Sequence, residues 1–159
     1  MDPLLKLLVE GTSHTPSDLA KLLGWTETEV RDRIHQLTDE HIILGFRAIL
    51  NESKLGQVRV RAMIEVRITP ERGGGFDHIA DRIARHREVR SCHLMSGGYD
   101  LLVEVEGATL REVAGFVSER LATLPGVLST ATHFVLQAYK EQGVFIRRSS
   151  GEDRLSVSP

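Results

Sequence analysis

The sequence predicts an α+β protein in two parts: an N-terminal winged helix-turn-helix, then a domain ordered strand, helix, strand, strand, helix, strand. Three observations predict it. Two capping boxes, Thr15–Asp18 and Thr26–Glu29, open consecutive amphipathic stretches. From Gln57 the apolar period changes from helical to strict alternation. Two later helical patterns are then separated by a pair of alternating segments joined through Ser96-Gly97-Gly98.

The first helix is short, Pro3 to Val9, with Leu4, Leu5, Leu7 and Leu8 apolar. The second begins at Thr15-Pro16-Ser17-Asp18, where a cap residue precedes a proline at the first helical position. Its apolar face is Leu19, Ala20, Leu22 and Leu23, and Gly24 is the natural stop. After Trp25, a core-packing candidate, the box Thr26-Glu27-Thr28-Glu29 starts a third helix carrying Val30, Ile34 and Leu37 inward. Two capped helices about three residues apart form a helix-turn-helix. Ile42–Leu44 and Phe46–Leu50 about Gly45 are expected to pair as the wing. The domains are therefore placed at 1–50, a linker at 51–56, a second domain at 57–142 and a disordered tail at 143–159.

In the second domain Val58, Val60, Ala62, Ile64, Val66 and Ile68 alternate with Arg59, Arg61, Met63, Glu65 and Arg67, the pattern of a half-buried strand. Phe76, Ile79, Ala80, Ile83 and Ala84 then share one helical face. Val89–Met95 and a strand with Tyr99, Leu101, Val103 and Val105 on one side form a hairpin. Thr109 and Glu112 cap a helix whose face is Leu110, Val113, Ala114, Val117, Leu121 and Leu124, ended by Pro125-Gly126. The last strand, about Val127 to Ala138, sets Leu128, Thr130, Thr132, Phe134 and Leu136 on one side. This order is the split βαβ arrangement of a ferredoxin-like sandwich, with both helices on one sheet face. The opposite face, with Met63, Cys92 or Val89, Leu102 and Val135 among its candidates, then needs a lid, and a second copy is the simplest one.

Composition excludes several classes. With 41% hydrophobic and 26% charged residues the chain is ordinary for a soluble globular protein. No apolar run approaches a membrane span, and Met-Asp-Pro lacks a signal-peptide layout, so the expected location is cytoplasmic. Cys92 is the only cysteine, which rules out an intrachain disulfide and a Cys-x-x-Cys site. The seven histidines lack metal-ligand spacing, and no phosphate loop or dinucleotide fingerprint appears, so no metal, cofactor or catalytic residue is assigned. Net charge is −2. Residues 1–50 hold five Lys and Arg against eight Asp and Glu, the reverse of the usual DNA-binding footprint.

Three segments resemble the Lrp/AsnC, or feast/famine, regulators. They are TETEVRDRIHQL followed by HIILGFRAILN, CHLMSGGYDLLVEVEG, and LPGVLSTATHFVL, and the resemblance runs from about Leu4 to Gln142. It departs from the family pattern in a short first helix and in Asp39-Glu40-His41, where the family has a turn with glycine. The resemblance implies a DNA-reading head joined to a RAM-type domain that binds an amino-acid effector and forms homodimers, with an octamer of four dimers as the higher state.

On the third helix Glu27, Thr28, Arg31, Asp32, His35 and Gln36 face outward by spacing. Arg31 suits guanine, Gln36 or Thr28 adenine or thymine, and Glu27 cytosine in the major groove of double-stranded DNA. Thr26 caps the helix; Arg33 and Arg47 are the candidate phosphate contacts, or else ordinary surface pairs. Acids in a first turn are also favoured by the helix dipole alone, which accounts for Glu27 and Glu29 without DNA. For the effector the resemblance implies the turn Ser96, Gly97, Gly98, Tyr99 and Asp100, with Thr130 and Thr132 nearby. Glycine amides would approach a carboxylate there, and Asp100 would take the ammonium group. The plain alternative is a tight turn. Two other functions stay open: an oligomerising ligand-binding module whose acidic helix-turn-helix no longer binds DNA, and an enzyme similar to tetrapyrrole-processing decarboxylases.

Overall fold

Helix formation in the first fifty residues is decided at the helix ends. In the computed structural model, which describes residues 1–10, 14–56, 59–70 and 75–146, helices α1 (Pro3–Val9), α2 (Pro16–Leu23) and α3 (Glu27–Asp39) follow one another. Asp2 caps α1 by accepting the Leu4 amide at 2.8 Å. Thr15 and Thr26 each close a full capping box, with Asp18 and Glu29 respectively. Gly24 ends α2 in the left-handed region, φ +68, where a side chain is costly. Leu4, Leu19, Ala20, Val30 and Leu37 form the core, with Trp25, Ile34 and Ile43 packed on it.

The wing hairpin does not form. Residues 43–50 carry no strand pairing, and Ile42, Leu44 and Phe46 are exposed. The cause is the end of α3. The Ile42 amide bonds the Leu37 carbonyl at 2.9 Å and the His41 amide bonds that of Thr38 at 3.0 Å, a Schellman closure with His41 at φ +57. Ile43 also donates to Leu37, at 3.0 Å, so the first wing segment spends its amides on the helix. Gly45 is not at positive φ, and a tight hairpin turn would need that.

The chain separates into two compact units, Met1–Ala48 and Ile49–Pro159. The second begins with a 3-10 turn, Glu52–Lys54, and continues β1 (Val60–Ile68), α4 (Asp77–Ala84), β2 (Val89–Leu94), β3 (Leu101–Gly107), α5 (Leu110–Phe116) and β4 (Val127–Phe134). The strand start expected at Gln57–Val58, the break at Gly73–Gly74 and the tail over 147–159 lie outside the described residues. The sheet is antiparallel in the order β2-β3-β1-β4. Ala62, Ile64, Val66 and Ile68 of β1 are buried against Leu101, Val103 and Val105 of β3 and against Ile79, Ile83, Val113, Phe116 and Leu121 of the helical layer.

Several expectations are corrected. Cys92 pairs with Val103 and Val89 with Val105, so both lie on the helix-covered side rather than the open one. The open face carries Met63 and Leu102 among Arg61, Glu65, Arg67, Glu104, His93 and His133. On α5, Leu110 and Ala114 are exposed and Phe116 is buried in their place. A widened turn follows at Val117–Leu121, closed by the Ala122 amide on the Val117 carbonyl at 2.8 Å, and it carries Leu121 into the core five residues after Phe116. Strand β4 stops at Phe134, and a register shift opposite Arg67 and Ile68 leaves Leu128 exposed. Residues 143–146, expected in a tail, instead belong to a small hairpin of β5 (Lys140–Glu141) and β6 (Val144–Phe145).

Gly126 is held at φ +91, with an added Cβ only 2.5 Å from the buried Ile79 Cδ1, while its carbonyl accepts the Thr69 amide at 2.8 Å. Gly126→Ala should cost about 2–4 kcal/mol, read as a lowered urea midpoint. His41→Gly should act in the opposite direction and raise the stability of the first unit by about 1 kcal/mol, since glycine relieves the left-handed strain. An unchanged or lower melting temperature would count against the Schellman account.

Candidate functional site

Residue spacing on α3 divides its surface into a packed and an open side. Val30 and Leu37 are buried and Ile34 is half-buried, while Glu27, Thr28, Arg31, Asp32, His35 and Gln36 are exposed. Thr28, Arg31 and His35 fall at i, i+3 and i+7, on one stripe. Among the described residues, Arg31 makes an exposed, long pair with Glu27 at 3.5 Å, which solvent screens heavily. Arg47 is exposed in the unpaired segment after α3.

Three of the predicted reading residues are already engaged. The Thr26 hydroxyl accepts the Glu29 amide at 3.2 Å and donates to Glu29 Oε2 at 2.9 Å, so it serves the cap. Arg33 is half-buried and its Nη2 lies 2.7 Å from Asp2 Oδ2. Gln36 accepts Arg33 Nη1 at 2.6 Å and donates to Glu40 at 2.8 Å. Sequence reasoning missed Asp2; the available signal was its place immediately before Pro3, a cap position.

The caps also set the acid behaviour of this unit. Bonds from the Thr26 amide and hydroxyl hold the Glu29 carboxyl below its ordinary value of 4.5. Those of Thr15 do the same for Asp18, whose ordinary value is 3.8. Burial pushes the Asp2 carboxyl up, but the Arg33 bond, the Leu4 amide and the Arg33 charge outweigh it and lower it.

In the second unit the turn 95–100 joins β2 and β3. Ser96, Gly97 and Gly98 are exposed and Tyr99 and Asp100 half-buried. Asp100 is locked to β1: its amide donates to the Val66 carbonyl at 3.0 Å and its Oδ2 accepts the Ile68 amide at 2.8 Å. One carboxylate oxygen expected to face an ammonium group therefore holds a strand. Thr130 pairs across from Val66 and Thr132 from Ile64, both half-buried. Leu101 and Thr130 flank Val66 from its two sides, about 10 Å apart at two strand spacings. The turn and Thr130 thus lie at one end of the sheet, with Thr132 one inward-facing position further along β4.

A separate cleft of about 690 Å³ lies at the other end of the sheet, beside α5. Its arginines are largely neutralised within the protein: Arg59 and Arg90 each meet Glu106 at 2.6 Å, and Arg120 meets Glu88 at 2.8 Å. Among the described residues no group of three or more His, Cys, Asp or Glu is placed to hold a metal.

Comparison with known proteins adds to this geometry. Residues 61–145 match the family model described as the Lrp/AsnC ligand binding domain. The chain is 41% identical over 157 residues to the uncharacterized HTH-type transcriptional regulator YugG of Bacillus subtilis, covering 98% of this chain and 95% of that one. It is 33% identical over 141 residues to a proline dehydrogenase transcriptional activator of Rhizobium radiobacter, at 89% and 90% coverage. A solved transcriptional regulator from Neisseria meningitidis, in complex with L-Met, superposes with a TM-score of 0.67 at 23% identity, over 89% of this chain and 91% of that one.

Two predictions follow from the bonds at these sites. Carboxyls depressed by folding contribute stability that is complete above their ordinary values and lost as pH falls through the lowered ones. Trp25, the only tryptophan, should report a first unit equally stable from about pH 5 to 7 and weaker below about pH 4; a midpoint independent of pH down to 3 would contradict this. Asp100→Ala should cost about 1–3 kcal/mol by stranding the Ile68 amide, with Asp100→Asn largely spared, as seen in denaturant titrations.

Proposed function

Because the chain belongs to the Lrp/AsnC family of helix-turn-helix transcriptional regulators, we propose that α3 is its recognition helix and that the second unit binds an amino acid. The chain is a DNA-binding transcriptional regulator of this type. The observation that carries the residue assignment is the pair of capped helices about Gly24, which leaves Thr28, Arg31 and His35 as an open stripe on α3. Arg31 offers a guanine contact in the major groove, Thr28 and Gln36 offer contacts to adenine or thymine, and Glu27 offers one to cytosine. Thr26 acts through the cap, and Arg47 meets phosphate.

The proposed effector site is the turn Ser96–Asp100 with Thr130 and Thr132. Exposed glycine amides would donate to the ligand carboxylate, and the threonine hydroxyls and the remaining Asp100 oxygen would accept from the ammonium group. The L-Met of the Neisseria meningitidis regulator supports an amino acid as the ligand class. The open sheet face, where Met63 and Leu102 are half-buried on the side away from α4 and α5, supports a homodimer. Four dimers joined as an octamer are the proposed higher state, and the effector would act by favouring one assembly over another.

Electrophoretic mobility shifts on the protein's own upstream DNA test this reading. A sequence-selective, salt-weakened shift is expected. Arg31→Ala should reduce discrimination at one base position by about 1–3 kcal/mol. Calorimetry against the twenty amino acids should give a binder whose heat is lost in Thr132→Val. Absence of any selective shift, with or without that binder, would leave the ligand-binding module as the better account.

A further inference from the structure

Arg33 lies on the proposed recognition helix, yet all three nitrogens of its guanidinium are engaged inside the protein. Its Nε and Nη2 both meet one oxygen of Asp2, at 2.8 and 2.7 Å. Its third nitrogen, Nη1, donates to the Gln36 side-chain oxygen at 2.6 Å. Gln36 in turn donates to Glu40 at 2.8 Å. The Asp2 side chain is only 14% exposed and that of Arg33 32%, so the pair is shielded more than an ordinary surface bridge. The second Asp2 oxygen caps α1 on the Leu4 amide, which holds the carboxylate facing Arg33.

An oxyanion that receives two guanidinium nitrogens makes the contact that a DNA phosphate oxygen would make. We propose that Asp2 is an internal counterpart of phosphate that withholds Arg33 from the DNA backbone and, through Arg33, fixes which way the Gln36 amide faces. Asp2 is thus a positioning residue for the reading head. With its oxygen on Arg33 and its nitrogen toward Glu40, Gln36 presents a set amide orientation. Arg33 meanwhile adds nothing to sequence-independent affinity. The first unit is already short of cations, with five Lys and Arg against eight Asp and Glu up to Leu50. Binding that rests less on phosphate depends more on base contacts. This inference rests on the assignment of α3 as the recognition helix.

Asp2→Asn is the informative variant because asparagine caps a helix as well as aspartate but carries no charge for Arg33. Asp2→Ser, also cap-competent, repeats the test should that variant fold poorly. The full-length wild type, Asp2→Asn, Arg33→Gln and the double variant are titrated at several salt concentrations against the upstream duplex and a scrambled duplex of equal length. Asp2→Asn is expected to steepen the slope of log Kd against log salt by about 0.9, the value of one added phosphate contact, on both duplexes. The ratio between the two affinities should fall. Arg33→Gln should keep the wild-type slope, and the double variant should match it. The proposal is overturned by a slope that flattens in Arg33→Gln, as a pure net-charge effect would give, by no change in Asp2→Asn, or by steepening that survives in the double variant, whose net charge equals the wild type's, and so does not come through Arg33. Elution of the four proteins from immobilised heparin decides the contact independently of operator recognition. Later elution of Asp2→Asn with Arg33→Gln eluting as the wild type supports the withheld arginine, and earlier elution of Arg33→Gln or equal delay of the double variant refutes it. Failure of the wild type to bind either duplex would be a failure of the regulator reading and is separable from the heparin result.

Discussion

Strand β1 carries two hydrogen-bonded ladders at once, to β3 and to β4, and the rest of the second unit is arranged around it. Its alternate side chains Ala62, Ile64, Val66 and Ile68 are buried, each larger one contributing about 1.5–3 kcal/mol when removed from water. A slip of one residue would exchange these for Arg61, Met63, Glu65 and Arg67, so the register is strongly determined. That register in turn places Val66 between the turn ending at Asp100 and Thr130. The proposed effector residues are therefore gathered by the central strand, although they come from distant parts of the chain.

The same alternation leaves one sheet face on the side away from α4 and α5. That face is mixed: Met63 and Leu102 sit among charged and imidazole side chains, with His133 Nε2 3.4 Å from Glu65. Part of its charge is satisfied within the unit, as where Arg61 meets Glu141 of the terminal hairpin at 3.0 Å. A partner seated here would bury polar groups as well as apolar ones, and those must find bonds across the interface.

In the first unit the organising interactions are local. Capping boxes at Thr15 and Thr26 and the left-handed Gly24 set the two helices and the turn between them, and the small core around Leu4, Val30 and Leu37 joins α1 to them. Half of the eight acids of this segment have such internal duties. Glu29 and Asp18 complete caps, Asp2 holds Arg33, and Glu40 holds Gln36. The cap carboxylates stay ionised, so they still face a phosphate backbone as charges, and the Asp2–Arg33 pair removes one charge of each sign from the balance.

Caps, periodicities and glycine stops were legible in the sequence alone because each is a relation between residues within one or two turns. They placed helices α1 to α5 and the four strands of the main sheet, and the resemblance of three segments carried the family. What spacing could not reveal depends on partners far along the chain or on how a backbone group is spent. The wing was lost because Ile42 and Ile43 donate to Leu37. Phe116 replaced Ala114 because a widened turn follows α5. Cys92 and Val89 changed faces once their pairing with β3 was known. Asp100 and Arg33 have the right chemistry for ligand and phosphate, and only the tertiary structure decided that Ile68 and Asp2 reach them first. Local sequence determines which groups are available, and long-range packing determines which of them remain free.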